Sequence, residues 1–315
     1  MPDRVLLDVE DLHVDYAGHA GTPVPAVRGV TFQLRRGEVL GLVGESGSGK
    51  SSVCAALTRT LPDGARLSAA GLTFDGTGLT GLSEEAMRRM RATRIGFVPQ
   101  RPMTSLSPST PVLAQLRWYG GGQDLTPLLE QVGLRAVLDR PRDYPHRFSG
   151  GQLQRLLIVL AALARRPDLL IADEPTTTLD ATVQAQVLRL LLDLRDRLDL
   201  GILYITHDLA VVAQVCDRVA VMYGGRLAET GTVEQIFAAP RHPYTRALLA
   251  ALPGRTEPGE RLSTVPGSAA GAAHHPGCAF APRCPEVLAR CREEQPRPVV
   301  TLGATVSCHR AEESA

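Results

Sequence analysis

Two short runs hold the residue types that phosphate chemistry requires. The first, Gly44-Glu45-Ser46-Gly47-Ser48-Gly49-Lys50-Ser51, fits the pattern G-x-x-x-x-G-K-[ST] of a phosphate-binding loop. Its glycines let the backbone close around an anion with N–H groups turned inward. Lys50 adds an ammonium beside the β- and γ-phosphates, and the Ser51 hydroxyl is a ligand for magnesium. Lys50 is the one lysine among 34 basic residues, the rest being arginine. A tight loop admits the thin lysine stem and not the planar guanidinium fork. A chance match to the pattern in a chain of this length has odds of roughly 1% at average residue usage.

The second run, Leu169-Leu170-Ile171-Ala172-Asp173-Glu174, is an apolar strand ending in two carboxylates. Asp173 is placed to hold magnesium through its water, and Glu174 to polarise an attacking water as general base. Alone, such a pair also reads as strand-end acids capping the next helix; downstream of a phosphate loop it reads as catalysis. Between the two runs lies Phe148-Ser149-Gly150-Gly151-Gln152, opening a helix. It offers a second anion-binding end, although an ordinary cap, with Ser149 capping and the glycines turning, accounts for it equally.

These residues need elements to hold them. Val39 to Val43 is a short apolar strand running into the glycine loop, and Ser51 to Thr60 reads as the helix after it, whose free N–H groups face the anion. Leu6 to Val14, Val30 to Leu34 and Ile95 to Val98 read as further strands. From Gln100 to about Arg165 the strand signal fades: Leu113 to Arg117 and Leu125 to Val132 look helical, with Gly120-Gly121-Gly122 between them, and the helix opened by Ser149 runs to Ala164. Strands resume at Leu169 to Ala172, Gly201 to Ile205 and Val219 to Met222, with a helix over Val183 to Leu198. Alternating strands and helices imply a parallel sheet with helical cover.

Composition narrows the class. Of 315 residues 44% are hydrophobic, enough for a large core, and 34 basic against 33 acidic residues leave no electrostatic footprint for nucleic acid. The longest apolar run, Leu156 to Ala164, is too short to span a bilayer, and the start of the chain lacks the order of a signal peptide. The expectation is an intracellular protein without a membrane span. Cys54 and Cys216 fall in apolar segments and are expected to be buried. Cys278, Cys284, Cys291 and Cys308 cluster near the end, beyond a stretch rich in Pro, Gly, Ala and Ser (Pro253 to Pro276) that reads as a linker. Such clustering favours a metal site over disulfides.

Taken in order, these pieces resemble the nucleotide-binding subunit of ATP-binding cassette (ABC) transporters, in which the signature motif stands about 20 residues before the acidic pair. The resemblance covers roughly residues 5 to 250. It implies an α/β P-loop NTPase fold over residues 1–252, with a RecA-like parallel sheet core, an antiparallel β subdomain and an α-helical subdomain inserted at about 101–165. A small cysteine-rich extension, 253–315, follows. By the resemblance, Gly44, Glu45, Ser46, Gly47, Ser48, Gly49, Lys50, Ser51 and Ser52 bind ATP, and Tyr16 stacks on adenine. Gln100 senses magnesium and the γ-phosphate, sharing the metal with Ser51 and Asp173. Glu174 is the base, and His207, in Ile205-Thr206-His207-Asp208, is the switch histidine that contacts the γ-phosphate. Ser149, Gly150, Gly151, Gln152 and Asp180 contact the ATP of a partner subunit. Without the resemblance, His207 reads as a packed histidine and Gln100 as a turn residue. Two positions depart from the family pattern: Phe148 stands where leucine is usual, and Arg101 where an acid is frequent.

Three further segments resemble the oligopeptide and dipeptide permease ATPases: Pro102 to Pro108, His242 to Leu249, and Gly277-Cys278-Ala279-Phe280-Ala281-Pro282-Arg283-Cys284-Pro285 continued by Cys291 and Cys308. Members with four such cysteines are associated with a 4Fe-4S cluster. Four thiolates are also a set for structural zinc, and a tail without metal remains open. His274, His275 and His309 are expected to be bystanders; the role of the tail is left open between a structural lock on the chain end, far from the ATP site, and a redox-sensing device. The resemblance implies two ATPase subunits, usually different, sandwiching two ATP molecules at the cytoplasmic face of the membrane. Two separate permease subunits and an extracytoplasmic substrate-binding protein complete the assembly. The implied role is peptide import. Nickel, a metal chelate or a short oligosaccharide is the alternative cargo, and a DNA- or ribosome-acting ATPase is the reading from another class.

Overall fold

The computed structural model describes residues 4–18, 22–120, 124–163, 166–177, 179–252, 264–265, 267–269 and 271–313. Gly121 and Gly122 of the glycine break, Ala164 and Arg165 after the signature helix, and most of the expected linker lie outside the described residues. The strands are β1 (Val5–Ala17), β2 (Pro23–Arg35), β3 (Val39–Val43), β4 (Arg66–Ser68), β5 (Gly71–Phe74), β6 (Thr77–Gly78), β7 (Ile95–Val98), β8 (Leu169–Asp173), β9 (Gly201–Thr206), β10 (Arg218–Tyr223), β11 (Arg226–Thr232), β12 (Pro298–Thr301) and β13 (Ala304–Ser307). They fall into two compact units, each assembled from separate stretches of chain: Met1–Leu6, Arg35–Glu38 and Leu82–Ile205 in one, Leu7–Leu34, Val39–Gly81 and Thr206–Ala315 in the other.

The first unit is built on parallel β7, β8 and β9, with Ile95 opposite Leu169, Leu169 opposite Gly201 and Asp173 opposite Ile205. The first four residues of β8 are all buried, as a strand covered on both faces demands. At its start Asp168 takes two arginines, Arg94 Nε at 2.6 Å and Arg36 Nη1 at 2.8 Å, which anchors the strand so that its far end presents Asp173. The helix Ala181–Leu198 returns the chain to β9. Asp180 caps it by accepting from the Thr182 and Val183 N–H groups, satisfying donors that a helix start leaves open.

Between β7 and β8 the described residues hold helices and no strand: Pro102–Ser105, Val112–Tyr119, Thr126–Gln131, Arg135–Asp139 and Gly150–Ile158. They enclose an apolar cluster with Leu113, Leu116, Leu129, Leu134, Phe148 and Leu156. Phe148, where leucine is usual in the family, fills this cluster with the Arg140 guanidinium 5.1 Å from its ring centre. The α-helix opened by Ser149 runs to Ile158 and continues as one π-helical segment, Val159–Leu163; the expected end, Ala164, lies outside the described residues.

The second unit has two sheets. In one, β1 lies between β2 and β5, β6 follows β5, and β4 pairs with β1. In the other, β3 runs parallel to β10, then β11 and β13 follow antiparallel, and β12 closes the edge. The strands expected at Leu6 to Val14 and Val30 to Leu34 are longer than expected, and the helix expected at Ser51 to Thr60 is Lys50–Thr58, ended by Arg59 in the left-handed region at φ 49°. The chain end departs most. Of the stretch read as a linker, Val265, Ala269 and Ala272 pack on a core with Tyr223, Tyr244 and Phe280, and the tail supplies β12 and β13. Buried Ala304 and Val306 alternate with exposed Thr305, the pattern of an antiparallel strand with one face covered. Cys54 is buried as expected, whereas Cys216 is only half-buried. No helix among the described residues is long and apolar enough to cross a membrane.

Candidate functional site

The second unit carries the phosphate loop. All five residues of β3 are buried, so the strand delivers the chain to Gly44 along a fixed line. The loop ends at Gly49, with φ 105°, and a Cβ there would lie 2.4 Å from the Ala26 carbonyl oxygen; any other residue is excluded by both backbone and space. The helix Lys50–Thr58 follows at once, so its first N–H groups face back over the loop. Lys50 is 6% exposed, and its Nζ donates to the carbonyls of Gly44 at 2.7 Å and Glu45 at 3.1 Å. The ammonium is thus folded over the loop.

Ser51 is exposed on the first helical turn, beside half-buried Ser52. The Tyr16 hydroxyl donates to Ser52 Oγ at 3.1 Å, tying β1 to this helix and leaving the ring half-buried. His207 is exposed at the end of β9. The Thr206 hydroxyl accepts from the Asp208 N–H at 3.0 Å, and Asp208 caps the helix Leu209–Val215. The turn that carries His207 is therefore held from both sides.

The first unit brings Gln100, Asp173 and Glu174 onto neighbouring strand ends. Gln100 Nε2 donates to Glu174 Oε2 at 2.8 Å, and the Thr177 hydroxyl donates to the same oxygen at 3.0 Å. Donating through nitrogen leaves the Gln100 amide oxygen as an acceptor for a cation. Glu174 is in the left-handed region at φ 46°, and its N–H donates to the Ile205 carbonyl at 2.9 Å. That conformation costs a non-glycine residue about 1–3 kcal/mol and clusters at working sites. Sequence reasoning missed this turn and Thr177; Thr-Thr-Thr after Pro175 is the one visible signal for a hydroxyl there.

The signature residues form a helix start. Ser149 Oγ accepts from the Gln152 N–H at 3.3 Å, and Gln152 Oε1 accepts from the Ser149 N–H at 2.9 Å, a reciprocal capping box. Ser149 and Gly150 are exposed, whereas Gly151 is buried, a Cβ there falling 2.5 Å from Val183 Cγ1. Gly151 thus lets the signature helix press onto the helix that Asp180 caps. Both side chains take part in the cap, and Ser149 and Gly150 remain exposed at the helix start.

The tail groups its cysteines. All four are free, with Cys291 and Cys308 buried. The Cys278 N–H donates to the Cys291 carbonyl at 2.8 Å, and the Leu288 N–H points at Cys291 Sγ at 3.4 Å. Burial pushes the Cys278 thiol up to about 11, with Cys291, Cys308 and Cys284 adding to the rise; burial also raises Cys284 and Cys308. The thiols are therefore near enough to oppose one another's ionisation, and a bound cation reverses that balance. Among the described residues no group of three or more His, Cys, Asp or Glu is arranged to hold a single metal ion. His309 is packed, bonded to Glu312 and to the Glu294 carbonyl. The tail is not remote from the phosphate loop, as the sequence suggested. Arg283 Nη1 donates to Glu45 Oε2 at 2.9 Å and to the Tyr223 hydroxyl at 3.1 Å, and the Tyr244 hydroxyl accepts from the Glu45 N–H at 3.0 Å. A cavity of about 740 Å³ is lined by Val24 to Ala26, Glu45 to Ser48 and tail residues that include Gly267 and His274.

Comparison with known proteins places this geometry. Residues 27–177 match the family described as ABC transporter, and residues 228–291 match the C-terminal region of oligopeptide/dipeptide transporters. The dipeptide transport ATP-binding protein DppD of Escherichia coli is 42% identical over 96% of this chain and 96% of its own length. The oligopeptide transport ATP-binding protein OppD of Bacillus subtilis is 44% identical over 92% of this chain and 84% of its own. Among solved structures, cbiO1 of Clostridium perfringens, part of the ABC transporter complex cbiONQ, is 28% identical and superposes with a TM-score of 0.64 over 75% of this chain and 92% of its own.

Proposed function

We propose that this chain, which belongs to the ABC transporter ATP-binding proteins of the oligopeptide/dipeptide type, is the subunit that couples ATP hydrolysis to import of small peptides. The observation that carries the cargo is near-full-length identity of 40–44% to proteins named for dipeptide and oligopeptide transport. The site chemistry supports the ATPase part. The loop Gly44 to Ser51 receives the β- and γ-phosphates, Lys50 shares its ammonium with them, and Tyr16 and Ser52 border the nucleoside. Glu174, oriented by Gln100 and Thr177, accepts the proton of the attacking water. His207, on the turn that Thr206 and Asp208 hold, contacts the γ-phosphate. Ser51, Gln100 and Asp173 offer a hydroxyl, an amide oxygen and a carboxylate, hard donors that would hold magnesium, whose charge would offset that of the transferring phosphoryl group.

Ser149, Gly150 and Gly151 are assigned to the ATP of a second ATPase subunit, a different chain, with Asp180 on the joining loop. Two permease subunits and an extracytoplasmic binding protein complete the importer, and this chain works at the cytoplasmic face of the membrane. Residues 1–252 form the nucleotide-binding domain with its helical insertion at about 101–165, and 253–315 the extension. Cys278, Cys284, Cys291 and Cys308 are assigned to a 4Fe-4S cluster. Four free thiols near enough to oppose one another's ionisation are the donor set that such a cluster takes, and structural zinc is the alternative occupant of the same set.

Glu174→Gln tests the ATPase reading. The variant is expected to bind MgATP as the parent does and to lose at least about a hundredfold in turnover, together with uptake of labelled dipeptide by cells carrying the whole importer. Undiminished hydrolysis removes Glu174 as the base; uptake of nickel or an oligosaccharide in place of peptide overturns the cargo.

A further inference from the structure

Glu45 is an acid inside an anion-binding loop, and left alone its charge opposes the ligand. The tail answers it. Arg283, the residue before Cys284, has a side chain 6% exposed, against 27% for that of Glu45. Its fork is fully engaged: Nη1 donates to Glu45 Oε2 at 2.9 Å and to the Tyr223 hydroxyl at 3.1 Å, and Nη2 to the Val265 carbonyl at 3.1 Å. An aromatic block carries the arginine. Phe280 stands edge-on to Tyr223 at 5.3 Å, and Tyr223 lies 4.6 Å from Tyr244. Tyr244 in turn accepts the Glu45 N–H. The second residue of the loop is thus held by its backbone from the helix Pro243–Ala250 and by its side chain from the tail. The peptide units that follow, Ser46 to Gly49, inherit their direction from that anchor.

We propose that Arg283 is a positioning residue of the nucleotide site: it neutralises Glu45 and turns its carboxylate away, so that the loop accepts the phosphates. The inference rests on reading Gly44 to Ser51 as the ATP site. It gives the cysteine tail a second task, since the peptide that carries Cys284 also carries the counter-charge of the phosphate loop. Removing the guanidinium leaves a shielded carboxylate unpaired beside a polyanion, where low dielectric magnifies repulsion.

The test is MgATP binding by the full-length protein, measured by titration calorimetry. Arg283→Gln is expected to weaken MgATP binding about tenfold, the scale of one unpaired charge in a partly screened site. Arg283→Lys, which keeps the charge, is expected to retain most of the affinity. Glu45→Gln combined with Arg283→Gln is expected to recover it, because the repelling charge is gone as well. A merely unfolded tail is not rescued by a change in the loop. The proposal is overturned if Arg283→Gln binds within twofold of the parent, or if the double variant stays as weak as the single. If the unaltered protein does not bind MgATP, the assignment of the loop fails first and the inference falls with it.

Discussion

Gly151 gives the most direct handle on the signature helix. A Cβ at this position falls 2.5 Å from Val183 Cγ1, and real Cβ atoms essentially never approach below 3.0 Å. Gly151→Ala therefore forces the two helices apart or drives Val183 from its rotamer, at about 1–3 kcal/mol. Alanine returns up to ~1 kcal/mol of helix propensity, so with the full return the net loss is about 0–2 kcal/mol. Val183→Ala alone trims a half-buried side chain and costs about 1 kcal/mol. In the double variant the clash has no partner atom, so its loss is expected to fall at least ~1 kcal/mol short of the sum of the singles. Urea midpoints of the three variants measure this directly. ATPase activity provides a second readout, falling in Gly151→Ala and recovering when Val183 is also alanine. Additivity of the single losses within about 0.5 kcal/mol refutes the claim that Gly151 is required by Val183.

Two further outcomes follow from the second unit. His242 is fully buried; burial, with Arg246 adding to it, pushes its imidazole down to about 3, and its Nδ1 accepts from the Tyr244 N–H at 3.0 Å. The unfolded chain takes up this proton below about 6.5 and the folded chain does not, so stability is complete above that pH and falls as pH drops towards 3. The loss at pH 5 is about 2 kcal/mol at ~1.36 kcal/mol per pH unit. His242→Asn keeps an acceptor and does not titrate, so it is expected to flatten the urea midpoint between pH 7 and 5; an unchanged slope assigns the dependence elsewhere. Anaerobically purified protein is expected to contain iron and acid-labile sulfide in equal amounts, lost on Cys278→Ser or Cys308→Ser, whereas zinc at about one equivalent without iron excludes the cluster.

How much of this was legible depended on whether a feature is local. The phosphate loop, the acidic pair and the signature each sit in a few consecutive residues, because each is a strand end or helix start whose turn needs particular residues in sequence. The short strands Arg66–Ser68, Gly71–Phe74 and Thr77–Gly78 escaped notice, since they hold charged, glycine and hydroxyl residues of weak strand preference. The first two exist because β1 pairs with them, Val14 facing Leu67 and Leu7 facing Phe74, and Thr77–Gly78 pairs in turn with Gly71–Phe74. The left-handed turn at Glu174 has no compositional mark either. Least legible was the tail. Its cysteines announced chemistry, but the Arg283–Glu45 pair joins residues 238 positions apart, and no pattern within a segment encodes such a partner.

The edge strands also have a consequence for synthesis. The phosphate loop leaves the ribosome well before β13, which pairs Val306 with Glu229 and Thr305 with Thr230. Until then β11 offers an open edge to any passing strand. A message cut short before residue 298 therefore yields a chain that holds every ATP motif yet lacks the strands that close its sheet. Such a product is expected to associate through β11.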